Sequence, residues 1–282
     1  MKALTFLARR FVAGDTVDEA LQQVRRLNAD GIKVTLDNLG EDCQNAAQAK
    51  AATDEYCFML RRIADEGADC NVSLKLTQFG LNLDRSLARD NLVRVCEEAK
   101  LRGGNFVRID MESTTYTQQT LELFYEVFAK FPNTGVVIQA YLRRSEADIA
   151  ELVSRRVRVR LCKGAYKEPA SVAFPDKADV NANYDKLAKM LLAAPIPAFA
   201  THDDARIAAA VEAAAAAGVP KGTFEIQMLY GLRPKKWRQL VSEGHAVRVY
   251  MPYGTHWFPY YSRRIRERKE NLMFVVKNLF SE

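Results

Sequence analysis

A group of four residues near the end of the chain has the residue types and spacing of a carboxylate-binding site. Its members are Tyr260, Arg263, Arg264 and Glu267. Residues three and four positions apart share one helix face, and Pro259 suits the first turn of such a helix. Two adjacent guanidinium groups can hold a carboxylate by bidentate, charge-assisted hydrogen bonds, while a tyrosine ring can wall an apolar ring. The alternative is a solvated helix face with an arginine–glutamate pair one turn apart.

A second set of polar residues lies near the carboxyl ends of predicted strands. Its members are Lys75, Asp110, Gln139, Arg160, Lys163, His202 and Gln227. Strands covered on both faces are normally apolar, so their charged residues must meet one another or a polar ligand. Convergence of seven such groups at one end of a barrel favours a ligand site. The alternative is a set of ion pairs that fill the barrel, and it applies most to Arg108, Arg158 and Glu225.

The residue types leave several reactions open. The three histidines have no metal-ligand spacing with another histidine or cysteine, so no metal site is expected. Asp110 and Glu112 can form an acid/base pair, although they come from one strand instead of two opposed ones. Lys75 or Lys163 can form a Schiff base, as in barrel aldolases. Gly164 permits close approach of the backbone to a ligand.

Residues 201–203 (Thr-His-Asp) precede a predicted helix, and a helix N-terminus attracts anions. A cationic groove lined by backbone suits a large anionic cofactor better than a small sugar. These residues therefore predict a barrel enzyme with an acidic ligand, and they do not identify its reaction.

The elements that position these residues alternate between short strands and amphipathic helices. A leading helix is predicted at 15–29 and a clear alanine-rich helix at 205–218. The predicted strands are 32–36, 72–76, 106–111, 136–141, 157–162, 198–201, 224–229 and 246–250. Eight such units predict a closed (βα)8 barrel. An open doubly wound sheet is the alternative, and the lack of a glycine-rich nucleotide motif after the first strand weakens it.

Composition is typical of one globular domain spanning residues 1–282. The chain is 48% hydrophobic and 27% charged, and no apolar run approaches the roughly 18 residues of a membrane span. The start lacks a secretory cleavage site, and five scattered cysteines indicate reduced thiols, so we expect a cytoplasmic protein. The net charge of +6 permits acidic ligands and a peripheral contact with an anionic membrane surface, without requiring nucleic acid.

Several motifs, in order, resemble those of the proline dehydrogenase family. They are Val107-Arg-Ile-Asp-Met-Glu112, Val137-Ile-Gln-Ala-Tyr141, Arg160-Leu-Cys-Lys-Gly-Ala-Tyr166, Ala200-Thr-His-Asp203, Phe224-Glu-Ile-Gln-Met-Leu-Tyr-Gly231 and the helix containing Arg263 and Arg264. The resemblance runs from about residue 10 to the end and is closest to the short monofunctional form. It implies a distorted (βα)8 barrel with an N-terminal helix, a last helix over the barrel mouth and non-covalently bound FAD.

The resemblance also implies a reaction. L-proline loses a hydride to flavin N5 and becomes 1-pyrroline-5-carboxylate, and the electrons pass to a quinone at a membrane. This reaction is the first step of proline catabolism to glutamate. A Schiff-base aldolase remains the alternative enzyme. The other alternative is a non-enzymatic basic module that binds a membrane surface or nucleic acid through residues 263–269. Glu267 and Glu270, within and beside that run, disfavour nucleic-acid binding.

Site residues follow from the same resemblance, position by position. Catalytic roles are implied for Asp110 and Arg160. Substrate contacts are implied for Lys75, Tyr250, Tyr260, Arg263 and Arg264, with Glu267 orienting an arginine. Flavin contacts are implied for Met111, Gln139, Arg160, Lys163, Gly164, Ala165, Thr201 and His202.

Overall fold

Eight parallel strands close into a barrel in the computed structural model, which describes residues 10–257. The strands follow one another around the barrel in chain order, and β8 pairs with β1. Their bounds are β1 Lys33–Asn38, β2 Cys70–Leu74, β3 Val107–Ile109, β4 Thr134–Gln139, β5 Arg158–Cys162, β6 Ala198–Ala200, β7 Glu225–Leu229 and β8 Ala246–Tyr253. The predicted eight-stranded α/β barrel is thus confirmed, and the open sheet is excluded.

Eight helices surround this barrel within the described range. They are α1 Val17–Ala29, α2 Ala46–Asp65, α3 Arg85–Leu101, α4 Thr114–Phe128, α5 Ser145–Ser154, α6 Lys177–Leu191, α7 Asp204–Ala216 and α8 Pro234–Ser242. The first precedes β1, and each of the others connects one strand to the next. This βα alternation of parallel strands places the carboxyl ends of all eight strands at one end, which we call the barrel mouth.

The leading helix α1 is confirmed, and it begins two residues later than predicted. Thr16 adopts an extended conformation and its side chain accepts a hydrogen bond from the backbone N–H of Glu19, so the helix begins after it. Val17, Leu21 and Val24 are buried on the side that packs against β1 and β8.

Two strand boundaries differ from the sequence prediction. The second strand ends at Leu74, so Lys75 follows it directly, instead of lying within it. The last strand continues through Pro252, which pairs in register with Asp37. A proline interrupts a strand only where its missing N–H would be needed for strand pairing. Pro252 contributes through its carbonyl instead, which accepts a 2.8 Å hydrogen bond from the backbone N–H of Ala13.

The core lies between the outer face of the barrel and the helices. Strand residues that point outward, such as Val107 and Ile109 on β3, are fully buried. Burying each side chain of this size stabilises the fold by about 1.5–3 kcal/mol. The inward-facing residues alternate with them and are largely polar, so the interior of the barrel is the part of the molecule with unusual chemistry.

Two predicted features lie outside the described residues. One is the helix beginning near Pro259, together with its predicted position over the barrel mouth. The other is most of the basic and apolar segment that begins the chain, residues 1–9. Among residues 10–257, no helix combines the length and the apolar character needed to cross a membrane.

Candidate active site

Asp110 is the centre of a hydrogen-bonded network at the barrel mouth. It follows β3 directly, and its Oδ1 accepts hydrogen bonds from Ser73 Oγ at 2.6 Å and Arg160 Nη1 at 2.9 Å. Its Oδ2 accepts one from the hydroxyl of Tyr250 at 2.8 Å, and Lys75 Nζ lies 4.0 Å from the same oxygen. The carboxyl ends of β2, β3, β5 and β8 therefore meet at one carboxylate.

Lys75 has a second carboxylate partner, Asp37, which the sequence analysis did not single out. Its Nζ lies 3.1 and 3.0 Å from the two carboxylate oxygens of Asp37, and both side chains are buried. Burial alone lowers the pKa of Lys75, but the charges of Asp37 and Asp110 outweigh it and raise the pKa above the ordinary lysine value. Lys75 is therefore a permanent cation at neutral pH.

Asp37 was missed because the first strand was predicted to end at Leu36. The observed strand β1 continues through Asn38, and Thr35 and Asp37 alternate with Val34 and Leu36. The signal that would have identified Asp37 is thus the same alternation that identified Asp110 on β3.

Arg160 joins one further strand, β7, to this network and also contacts Tyr250. Its Nε donates a 2.6 Å hydrogen bond to Gln227 on β7, and its guanidinium lies 5.1 Å from the centre of the Tyr250 ring. Its remaining nitrogen, Nη2, is buried and has no hydrogen-bond partner among residues 10–257. A buried guanidinium N–H without an acceptor costs free energy, so this atom is a place where a ligand acceptor would bind favourably.

Below the network, a deeper layer of charged residues fills the barrel. Glu225 and Arg248 form a bidentate pair, with both hydrogen bonds 2.9 Å long. Burial alone raises the pKa of Glu225, but Arg248 and a hydrogen bond from Gln227 lower it to about 2. Arg108 lies in the same layer and donates to the carbonyl oxygens of Val136 and Arg158. For Glu225, the alternative of an ion pair that fills the barrel is therefore observed.

Glu112 lies apart from Asp110 instead of opposing it. Its carboxylate accepts hydrogen bonds from the backbone N–H of Thr77 at 3.1 Å and from the Thr77 hydroxyl at 2.6 Å. Burial is the main cause that raises the pKa of Glu112 to about 7, against the lowering effect of these hydrogen bonds. The two carboxylates thus hold different loops, and the arrangement does not resemble an opposed acid/base pair.

The other residues implied to contact a flavin lie around the mouth with partners of their own. Gln139 donates to the backbone carbonyl of Glu112 at 2.9 Å. Lys163 forms a half-exposed ion pair with Asp203 at 2.8 Å. The Nε2 atom of His202 accepts a 3.0 Å hydrogen bond from the backbone N–H of Leu229. Of the seven predicted strand-end groups, four therefore share the central network: Lys75, Asp110, Arg160 and Gln227.

Gly164 has a structural reason to be glycine. Its φ of +122° is rarely adopted by other residues, and an added β-carbon would overlap the ring of Tyr141. The sequence predicted that the backbone of Gly164 approaches a ligand closely. In the structure, the ring of Tyr141 lies against the backbone of Gly164. Ala165 follows it in the same irregular segment. Met111 and Thr201 are buried at the ends of β3 and β6.

All four residues of the predicted carboxylate clamp lie outside the described residues: Tyr260, Arg263, Arg264 and Glu267. Between residues 10 and 257, no group of three or more histidine, cysteine, aspartate or glutamate side chains is arranged to hold a metal ion. All five cysteines are free thiols.

Comparison with known proteins identifies the family. The sequence profile of the family described as Proline dehydrogenase matches residues 20–277. Proline dehydrogenase 1 of Bacillus subtilis (strain 168) is 42% identical over 276 residues, which cover 98% of this chain and 91% of the relative. Proline dehydrogenase of Deinococcus radiodurans is 41% identical over 279 residues, with coverages of 97% and 90%.

A solved structure agrees with these matches. The crystal structure of proline utilization A (PutA) from Bdellovibrio bacteriovorus, inactivated by N-propargylglycine, superimposes with a TM-score of 0.88 at 28% identity. The match covers 95% of this chain and 33% of that one, so the present chain spans about a third of PutA. Together with the profile and the two relatives, this similarity shows that the chain belongs to the proline dehydrogenase family.

Proposed function

We propose that this chain oxidises L-proline to 1-pyrroline-5-carboxylate, as an oxidoreductase acting on a CH–NH donor with non-covalently bound FAD. The observation that carries the proposal is the Asp110 network at the barrel mouth, in a chain whose family membership is shown. FAD held at the barrel mouth would supply the oxidant for proline, with a quinone as the final electron acceptor. The product enters proline catabolism to glutamate.

The residues of the mouth fit such a cofactor. The unpartnered Nη2 of Arg160 is a buried cationic donor, and a flavin ring that gains negative charge on reduction offers an acceptor for it. Lys163, His202 and Gln139 lie around the same mouth and supply polar atoms for the rest of the molecule. We propose flavin contacts for these residues and for Met111, Gly164, Ala165 and Thr201.

We propose that the substrate carboxylate binds to Lys75, Arg263 and Arg264. Within the described residues, the two cations of the mouth network are already balanced by two carboxylates, since Lys75 contacts Asp37 and Arg160 contacts Asp110. A further anion therefore requires further cations, and the adjacent arginines at 263 and 264 supply them. Glu267 orients one of these arginines.

The ring of the substrate packs against Tyr260 and lies near Tyr250. The reaction breaks a C–H bond next to the ring nitrogen, a hydride leaves with both electrons, the nitrogen loses its proton and a C=N bond forms. Asp110 holds Tyr250 and Arg160 in place by direct hydrogen bonds, and these contacts would fix the side chains that surround the substrate.

The raised pKa of Lys75 argues against the Schiff-base alternative for this residue. A Schiff base forms from a neutral amine, whereas burial beside Asp37 and Asp110 keeps Lys75 protonated. Lys163 is held in an ion pair with Asp203. Neither lysine has the apolar surroundings that favour a neutral amine.

The remaining parts of the proposal concern the setting of the reaction. We propose that residues 1–282 form one domain and that the protein is cytoplasmic with a peripheral contact at the membrane, where the quinone is found. The net charge of +6 is compatible with an anionic surface. Nucleic acid is not a partner in this proposal.

The test is the visible spectrum of the purified protein, recorded before and after anaerobic addition of L-proline. We expect a flavin spectrum that is bleached by proline and recovers on addition of a soluble quinone. A flavin spectrum that L-proline leaves unchanged would refute the substrate. A colourless protein that cannot be reconstituted with FAD would refute the cofactor, and borohydride trapping would then test Lys75 and Lys163.

A further inference from the structure

Arg108 is a buried cation without a carboxylate partner in the described part of the chain. Its side chain lies inside the barrel and is 1% exposed. Its Nη1 donates to the backbone carbonyls of Val136 at 3.3 Å and Arg158 at 3.1 Å, and its guanidinium lies 4.8 Å from the ring centre of Phe106. None of these contacts carries a full negative charge, whereas a buried charge normally requires one.

The charged groups nearest to Arg108 are mostly cations. Burial lowers the pKa of Arg108, and the charges of Arg160, Arg158 and Arg248 lower it further. Glu225 opposes this effect, but it is already held by Arg248 in a bidentate pair. The surroundings therefore favour a negative charge next to Arg108.

The ion pairs near Arg108 lead to the same result. Glu225 is held by Arg248, and Asp110 contacts Arg160. Arg158 is a second cation beside Arg108, and its guanidinium lies 3.8 Å from the centre of the same Phe106 ring. Within residues 10–257, neither Arg108 nor Arg158 forms an ion pair with a carboxylate.

Four buried guanidinium nitrogens in this region also lack an acceptor within residues 10–257. They are Nε and Nη2 of Arg108, Nε of Arg158 and Nη2 of Arg160, the last of which is proposed above to contact the flavin. Water can accept hydrogen bonds from these donors, but only an anion also balances the charge.

We propose that the barrel interior binds one small monovalent inorganic anion, chloride in ordinary solution, at the unpartnered N–H groups of Arg108. The proposal is independent of the proposed reaction, because the N–H groups of Arg108 lie below the network that surrounds Asp110. The anion places a negative charge beside a buried cation that has no carboxylate partner among residues 10–257, and thereby stabilises the folded protein.

Thermal unfolding of the FAD-loaded full chain tests the proposal with sodium chloride, sodium bromide and sodium gluconate at equal ionic strength and pH. Gluconate is too large for a buried site of this kind. We expect chloride and bromide to raise the Tm over gluconate by about 2–4 °C at ten times the dissociation constant, and the effect should saturate. Equal Tm values in chloride and gluconate would overturn the proposal.

Two variants distinguish this site from a general salt effect. Arg108→Met replaces the cation with an unbranched apolar side chain, and its Tm is expected to be the same in chloride and gluconate. Arg144→Met is the control, because Arg144 is an arginine on the outside of the barrel paired with Asp148, and it should keep the full chloride effect. A chloride effect that persists in Arg108→Met contradicts the proposal.

Crystals of the unmodified protein soaked in bromide give a second result, which does not require the variant to fold. We expect an anomalous peak within hydrogen-bonding distance of Arg108. A site that contains water and gives no bromide signal overturns the proposal, even if salts alter the Tm.

Discussion

Asp110 accepts hydrogen bonds from side chains that belong to three other strands. Ser73, Arg160 and Tyr250 come from β2, β5 and β8, and all three donate to the same carboxylate. Hydrogen bonds to a carboxylate are shorter and stronger than those between neutral groups. The positions of all three donors therefore depend on Asp110, and a substitution of one donor should alter the positions of the other two.

Tyr250→Phe tests this dependence at the level of one hydroxyl. The variant removes the 2.8 Å hydrogen bond to Asp110 and the hydroxyl that lies 3.5 Å from Lys75. A hydrogen bond to a charged group contributes about 1.5–3 kcal/mol, so we expect the free energy of unfolding to fall by that amount in urea titrations. We also expect the KM for proline to rise, because Tyr250 is proposed to line the substrate pocket.

Tyr184→Phe is the matched control for that variant. The hydroxyl of Tyr184 is fully buried and has no hydrogen-bond partner in the part of the chain that the structure describes. Removing an unsatisfied buried hydroxyl is expected to leave stability unchanged or to raise it by up to about 1 kcal/mol, with no change in KM. A loss in Tyr184→Phe equal to that in Tyr250→Phe would contradict this account.

The sequence predicted some residues of the network and missed others, for a physical reason. Asp110 and Arg160 were identified because charges on covered strands need a partner. Asp37 was missed because the first strand was predicted to end at Leu36, two residues before its observed end at Asn38. The partner of each charge depends on which strands adjoin, and strand alternation alone does not contain that information.

The loops after β2 and β3 are joined by Glu112. Its carboxylate holds both the backbone and the hydroxyl of Thr77, two residues beyond Lys75. Burial raises the pKa of Glu112 from 4.5 to about 7. The contact between these loops should therefore depend on pH in the neutral range.

Glu112→Gln should change how stability depends on pH. Because the pKa of Glu112 is higher in the folded protein than in the unfolded chain, protonation of Glu112 favours folding. The resulting gain in the free energy of unfolding is complete below about pH 4.5 and is lost as pH rises through about 7. The unmodified protein should therefore lose stability relative to Glu112→Gln between about pH 5 and 8, by at most about 3 kcal/mol. Urea titrations across this pH range measure the difference.

The control for this prediction is Glu122→Gln, the same chemical change on the exposed surface of α4. Its stability should follow that of the unmodified protein at every pH. If Glu112→Gln also follows the unmodified protein across this range, then burial does not control the ionisation of Glu112.

Comparison of the predicted and observed strand and helix boundaries shows what local sequence patterns can predict. Alternation and helix periodicity predicted all eight strands and the positions of α1 and α7, because these patterns reflect burial on one face. The continuation of β8 through Pro252 depends on Ala13 and Asp37, which are far away in sequence. The residue pattern of one segment does not show which distant residues that segment will contact in the folded protein.

At the scale of the whole molecule, we propose that residues 1–282 unfold as one unit. Every strand pairs with two neighbours, and the helices pack on the outer face of the same closed sheet. Loss of any strand opens the barrel and exposes the charged interior. We expect one thermal transition, in which helix content measured by circular dichroism and the fluorescence of released flavin change at the same temperature.

Recording both signals in a single sample removes differences in preparation. Two transitions separated by more than the width of either one would show that part of the chain unfolds independently, and the single-domain proposal would then be wrong.

The pairing of β1 with β8 joins strands that are made far apart in time. Lys33 lies beside Arg248, so 215 residues separate the two sides of the seam. At a synthesis rate of 5–20 residues per second, the ribosome needs roughly 11–43 s to make that stretch. During this interval β1 has one edge without its partner, and an unpaired edge is a site of association between chains. The nascent protein should therefore depend most on chaperones just before its last strand emerges.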